Sequence, residues 1–310
     1  VTSSSIPGDP RQWHVGLVGY GEVGRTLGED LRARGLAVSV YDIKLGTADE
    51  APLVEHAARH GVTVAGSHAA LAARADFVIS AVTANQTVAV ADACAPAVRP
   101  DVFFLDFNSA SPGAKVQAAT YISSGGGRYV EAAVMAAIGP YRIRVPLLLG
   151  GPWAAALQPL VAAIGFVAEV ASDALGVASA TKMCRSVMIK GLEAMVIESF
   201  TTARAYGVEE QVLASLKETF PGIDWETQGG YFFRRAIQHG RRRAEEMREA
   251  AATVREAGLE PWSAAGTAER QAWVADLADA GVFGAKETAD GGWRLDADRV
   301  LDALKARVRG

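Results

Sequence analysis

The chain has 310 residues, half of them hydrophobic and 21% charged, with a formal net charge of −4. That length allows two domains and a large core, and the charge provides no overall field to attract nucleic acid or an anionic membrane. No stretch resembles a signal peptide or a membrane span, and the two cysteines, Cys94 and Cys184, read as reduced, small core residues of a cytoplasmic protein.

In chain order, residues 1–12 are rich in Ser, Pro and Gly and read as a flexible tail. From 13 to 172, short apolar runs alternate with amphipathic helices. The runs fall at 14–18, 38–41, 63–65, 77–81, 102–106, 128–133, 147–149 and 166–170. This alternation predicts a parallel α/β sheet. His56 and His60 stand four residues apart on one of its helices, a spacing that suits a metal, but the sequence shows no third ligand and no metal is expected.

Beyond residue 176 the pattern is helical only, over 177–206, 209–220, 227–257, 264–280 and 296–308. Gly207, Pro221-Gly222, Gly258 with Pro261, and Gly281 mark the breaks. The first of these helices is apolar on most sides, with Val177, Met183, Val187, Met188, Leu192, Met195, Val196 and Phe200. Such a helix is expected to be central and buried, by its own domain or by a second subunit, so a homodimer through the α-domain is expected. Arg241-Arg242-Arg243, followed by Glu245, Glu246 and Glu249, reads as a solvated helix face.

Two places carry chemistry. Gly19-Tyr20-Gly21-Glu22-Val23-Gly24 follows the apolar run 15–18 and opens a helical segment. In a dinucleotide-binding βαβ unit the first Gly permits the tight turn, the second admits the pyrophosphate and the third lets helix and strand pack closely. The helix N-terminus then offers N–H groups and a partial positive charge to the phosphates. Asp42 lies 23 residues after Gly19, near the spacing of about 20 for a carboxylate on the adenosine ribose. A carboxylate there accepts from a free 2′-OH and repels a 2′-phosphate, which favours NAD, while Lys44 leaves NADP possible. The alternative is a plain structural βα turn. The fold class expected is therefore α/β, with an N-terminal Rossmann-type dinucleotide-binding domain over 13–172 and an all-α C-terminal domain over 173–310.

The second place is the start of the long helix. Lys182, Ser186 and Lys190 recur every four residues and fall within roughly 80° of arc, with Glu193 inside it. One reading is a solvated edge with a Lys190–Glu193 pair. The other is an active-site wall, where a lysine desolvated beside a second lysine would suit general acid/base work.

With Asp106-Phe107-Asn108-Ser109-Ala110-Ser111-Pro112 added, the glycine motif and Lys182 resemble the β-hydroxyacid dehydrogenase superfamily, which includes 3-hydroxyisobutyrate dehydrogenases and shares its fold with 6-phosphogluconate dehydrogenase. The resemblance spans nearly the whole chain. The stretch from Ala178 to Ala194 looks especially like a branch described as 6-phosphogluconate dehydrogenase-like NAD-binding proteins.

The resemblance implies that Lys182 is the catalytic acid/base and that Ser186, where the larger family has Asn, orients the substrate hydroxyl. It implies that Asn108, Ser109 and Ser111 hold the substrate carboxylate, although an Asx-type turn before Pro112 accounts equally for Asn108. Lys190 would tune the charge. Ala81, Val82 and Thr83 would border the nicotinamide ribose. Met135 stands where the family has small polar residues, which implies a bulkier, less polar substrate or simply a core methionine. Trp225, Tyr231 and Arg235 could close over the substrate, with packing favoured for Trp225 and Tyr231. The expected activity is hydride transfer between NAD(P) and a hydroxyl carbon of a small-molecule substrate. Imine reduction on the same fold and a non-catalytic dinucleotide sensor are the alternatives. Imine reductases usually carry Asp or Tyr where Lys182 stands.

Overall fold

A computed structural model of the chain describes residues 6–284 and 292–309. It divides into two compact units, residues 1–182 and 183–310. The first contains β1 (His14–Val18), α1 (Glu22–Ala33), β2 (Ala37–Tyr41), α2 (Ala51–Arg59), β3 (Thr63–Val64), α3 (His68–Arg74), β4 (Phe77–Ser80), α4 (Thr87–Cys94) and β5 (Phe103–Asp106). It continues with α5 (Pro112–Ser124), β6 (Arg128–Val134), α6 (Ile138–Tyr141), β7 (Pro146–Gly150), α7 (Ala154–Ala163) and β8 (Val167–Ser172).

The strands form one sheet in the order β3-β2-β1-β4-β5-β6-β7-β8. Neighbours on its β1 side pair in parallel as far as β6, and β7 pairs in parallel with β8. β7 runs antiparallel to β6, contrary to an all-parallel expectation. The reason is the connection: residues 135–145 hold only a four-residue helix and a 3₁₀ turn, too little for the crossover that a parallel return requires.

Both faces of the sheet are covered. Phe77, Ile79, Phe103 and Leu105 belong to one core cluster, while Val78, Val102 and Phe104 belong to the other. That is why strands β4 and β5 read as continuous apolar runs rather than alternating ones. Because β1 lies between β2 and β4, the chain leaves it toward α1 on one side and leaves β4 on the other. The crevice at this switch of strand order is where open α/β sheets bind ligands.

Residues 6–12 differ from the loose tail expected of them. Asp9 caps a 3₁₀ turn, Pro10 is buried, and Trp13 Nε1 donates to the Pro7 carbonyl at 2.8 Å. Residues 1–5 lie outside the described residues.

Helix α8 (Val177–Tyr206) begins in the first unit and continues into the second. The second unit adds α9 (Glu209–Thr219), α10 (Trp225–Glu256), α11 (Trp262–Asp279) and α12 (Gly292–Arg309). Its core joins Val196, Ile197 and Phe200 of α8 to Phe232, Phe233 and Ile237 of α10, Val274 and Leu277 of α11, and Trp293 of α12. α8 is less buried than its composition suggests: Met183, Val196 and Phe200 are inside, but Met188 is 73% and Met195 61% exposed. Cys94 is buried and its thiol pushed up to about 12 by desolvation, whereas Cys184 is exposed and not the core residue expected. Among the described residues, no helix is long and apolar enough to cross a membrane.

Candidate active site

Gly19 sits at a φ of +90°, and a Cβ there would collide with the Ala81 carbonyl oxygen. A Cβ on Gly24 would collide in turn with the Gly19 carbonyl oxygen. Only glycine fits either position. At Gly21, by contrast, a Cβ would meet nothing within 4 Å. Gly21 is the N-cap of α1 and makes no side-chain cap hydrogen bond. The turn therefore presents bare backbone and a helix N-terminus to open space, which fits the approach of a dinucleotide pyrophosphate. Glu22 is exposed beside it, and Val23 is half-buried.

Asp42, just past the end of β2, is held from two sides. The backbone N–H of Tyr20 donates to its Oδ2 at 2.7 Å and that of Lys44 to its Oδ1 at 2.9 Å. Each oxygen keeps a lone pair, so a ribose diol would meet a carboxylate already oriented. The Tyr20 side chain points away from the loop. It is buried, its hydroxyl lies 3.0 Å from His56 Nδ1, and burial raises its pKa to about 12. Tyr20 thus contributes backbone to the loop, while Lys44 is exposed.

From the glycine turn, a run of contacts leads to Lys182, all within the first unit. The Ala81 N–H donates to Val18 O at 2.7 Å, and the Val82 N–H donates to Asn108 Oδ1 at 2.7 Å. Asn108 Nδ2 donates to Ser80 Oγ at 3.0 Å. Asn108 is therefore buried and ties the end of β4 to the following loop. Thr83 Oγ1 donates to Asn85 Oδ1 at 2.7 Å. Next to Asn108, Ser109 is half-buried, and its Oγ accepts from Lys182 Nζ at 2.6 Å. Ser111 is the N-cap of α5, accepting from the Ala114 N–H at 3.3 Å. Met135 is half-buried just past β6.

Residues with no role in the sequence reading hold this arrangement from below. Asp106 receives Lys115 Nζ at 3.0 Å, Tyr129 Oη at 2.6 Å and the Asn108 N–H at 2.8 Å. Burial first, and then the Asp106 charge, drives the Tyr129 phenol well above its ordinary pKa, so it stays a donor. The completely buried Glu131 accepts from the N–H groups of Gly176 and Ala178 at 2.8 and 3.2 Å and from Ser179 Oγ at 2.7 Å. A carboxylate at the positive end of α8 satisfies orphan donors and complements the helix dipole. This anchor fixes the turn that carries Lys182. A Cβ on Gly150 would collide with Glu131 Oε1, so glycine at the end of β7 makes room for it. A lone acid in an otherwise apolar strand was the available signal for Glu131.

In the second unit, Ser186 and Lys190 are buried, and Lys190 Nζ donates to Ser186 Oγ at 3.2 Å. The Lys190–Glu193 pair of the solvated-edge reading does not form. Lys190 pairs with Glu246 at 2.7 Å, and Glu193 is gripped by Arg243 through a bidentate ion pair, with Gln271 Nε2 at 3.1 Å. The bidentate fork suits a buried carboxylate better than an ammonium does. Arg243 is accordingly buried, whereas Arg241 and Arg242 keep the exposed, ion-paired position expected of the arginine run. Desolvation lowers the Lys190 pKa, against the raising effect of Glu246. Trp225 is core, with its Nε1 on Leu216 O at 3.2 Å, but Tyr231 is half exposed rather than packed. Arg235 is half-buried, and its Nε has no hydrogen-bond partner among the described residues.

The glycine turn, the Asp42 carboxylate and the helix-borne Lys182 lie in a chain that belongs to the 6-phosphogluconate dehydrogenase-like NAD-binding family. Residues 14–158 match the NAD binding domain of 6-phosphogluconate dehydrogenase, and residues 203–274 match a domain of unknown function (DUF1932). A conserved hypothetical protein from Sinorhizobium meliloti 1021 is 35% identical, with 92% of this chain and 95% of that one aligned at a TM-score of 0.76. The conserved protein MTH1747, described as structurally similar to 3-hydroxyacid dehydrogenases, is 29% identical over 86% of this chain and 99% of that one, with a TM-score of 0.67. The mitochondrial 3-hydroxyisobutyrate dehydrogenase of Drosophila melanogaster is 25% identical over 69% of this chain and 66% of its own length.

Proposed function

We propose that the protein is an NAD-dependent oxidoreductase acting on the hydroxyl carbon of a β-hydroxyacid-like substrate, with Lys182 as general acid/base. One observation carries this reading: Lys182 Nζ lies 2.6 Å from the Ser109 hydroxyl, on a helix start anchored by Glu131. A substrate alcohol must adopt the same relation to its base. When bound, the nicotinamide supplies the hydride acceptor or donor.

Gly19, Gly21 and Gly24 would admit the pyrophosphate, and Asp42 would take the ribose diol, which favours NAD over NADP. Lys182 removes the hydroxyl proton during oxidation and returns it during reduction. Ser109 anchors the substrate, and Ser186 orients its hydroxyl. Asn108 acts as a positioning residue, because its amide already bridges Val82 and Ser80. Met135 supplies an apolar wall. The exposed Met188 and Met195, seven residues apart on one face of α8, support a homodimer through the helical unit. Light scattering that shows a monomer would refute that part.

The test follows absorbance at the nicotinamide band over hydroxyacids, amino-hydroxyacids and cyclic imines, with NAD and NADP each titrated. Turnover of a hydroxyacid with NAD is expected. Turnover confined to imines would favour the reductase reading. Tight NAD binding without any turnover would favour a sensor.

A further inference from the structure

On the far side of Tyr20 from the glycine turn, three side chains converge that the redox reading leaves unused. Glu29 comes from α1. His56 comes from the last turn of α2, and His60 caps that helix. The His60 N–H still donates to the His56 carbonyl at 3.2 Å, so the helical turn is intact. The two imidazoles consequently stack, with centroids 4.5 Å apart. The missing third ligand is supplied by Glu29, 27 residues before His56 and brought in by the βαβ packing.

We propose that Glu29, His56 and His60 bind a divalent first-row transition-metal ion, with the ligand set and chemistry of a two-histidine, one-carboxylate zinc site. Glu29 Oε1 lies 2.9 Å from His56 Nε2 and 3.9 Å from His60 Nε2, and the three ligand atoms are all within 4.8 Å of one another. Tetrahedral zinc, with bonds of about 2.0–2.2 Å, holds its donors about 3.3 Å apart. The present separations from Glu29 Oε1 bracket that value. Histidines at i and i+4 on one helix face are a recurring zinc pair. All three side chains are partly exposed, so solvent reaches the cluster.

An outer shell is also in place. Arg142 donates to Glu29 Oε2 at 2.7 Å. Oε1 is the oxygen turned to the histidines. On the other side of His56, Nδ1 lies 3.0 Å from Tyr20 Oη. A carboxylate only accepts, so without metal a neutral His56 carries its proton on Nε2 and accepts from Tyr20 at Nδ1. With metal on Nε2 the ring proton moves to Nδ1 and donates to Tyr20 Oη. This is the outer-shell bond that ligating histidines usually make. The ion would thus tie α1, α2 and the glycine turn together. The site stands independently of the redox reading.

The test uses the full-length chain without an affinity tag, stripped with a chelator, then equilibrated by dialysis with Zn²⁺ and, separately, with Co²⁺. His60→Ala removes a half-exposed ligand and leaves the His56–Tyr20 contact in place; a metal-free melt confirms that it is folded. The wild type should bind one Zn²⁺ per chain, melt at higher temperature with Zn²⁺, and give intense tetrahedral visible bands with Co²⁺. His60→Ala should bind Zn²⁺ at least about tenfold more weakly and lose both the melting shift and the bands. The proposal is overturned if the wild type binds no Zn²⁺, or if His60→Ala binds it with equal stoichiometry and affinity.

Discussion

Lys182 and Lys190 stand eight residues apart on one helix, and their surroundings give them different chemistry. Lys182 reaches a serine hydroxyl at the mouth of the sheet, on a turn whose backbone is gripped by Glu131. Lys190 is buried in the helical unit, where Glu246 neutralises it and Ser186 takes a further hydrogen bond. Around Lys182 the fixed groups position a side chain against a neutral hydroxyl, the kind of group a substrate also brings. Around Lys190 they satisfy a buried charge. Residue type and helical face are the same, so the partners decide which lysine meets a neutral hydroxyl and which is held in a buried ion pair.

The largest expected effect that would sharpen this contrast comes from Glu131→Ala. It strands two buried N–H groups, while the Ser179 hydroxyl keeps the Gly176 carbonyl as an acceptor, so urea unfolding should show a loss of about 3 kcal/mol together with impaired turnover. A stability change under about 0.5 kcal/mol would mean that Glu131 does not anchor the Lys182 turn. Lys190→Met should cost less, because Glu246 keeps its ion pair with Arg242 and so is not left uncompensated, while the burial penalty of the ammonium is relieved. Glu246→Leu should cost more than Lys190→Met, since it leaves the lysine buried without that carboxylate.

The smallest effect is one of pH. Burial holds the Lys190 pKa below its ordinary value of 10.5. Between the lowered value and 10.5 the unfolded chain carries more protons than the folded one, so stability rises with pH there. The stability difference between wild type and Lys190→Met should therefore grow in favour of the wild type as pH climbs through that window. A flat difference would contradict the direction of the shift.

Periodicity made most of this fold legible. The strand and helix patterns land within a few residues of the observed elements, because each carries its own apolar repeat. What escaped depends on partners far apart in the chain. Glu131 meets Gly176, Asp106 meets Lys115 and Tyr129, and Glu193 meets Arg243 rather than Lys190. Spacing along one helix suggested Lys190–Glu193, but only the packing of α8 against α10 brings up the stronger bidentate partner. Burial of Cys184 and Met188 was likewise overread, since an apolar residue on a helix does not reveal which face the core takes. At the glycine turn, the tight conformation was readable because it is set by the backbone of one βα unit. Asn108 and Ser111 were harder, because their side chains can bond either to a ligand or to their own scaffold, and in the structure they serve the scaffold.

The most direct measurement is kcat for Lys182→Met and Lys190→Met on the best hydroxyacid, with NAD affinity measured alongside. Lys182→Met should lower kcat by about 10²–10⁴-fold while NAD binds as in the wild type, and Lys190→Met should retain most of the turnover at temperatures where it is folded. Full turnover by Lys182→Met, or an equal loss in both variants, would contradict the assignment of Lys182 as the acid/base.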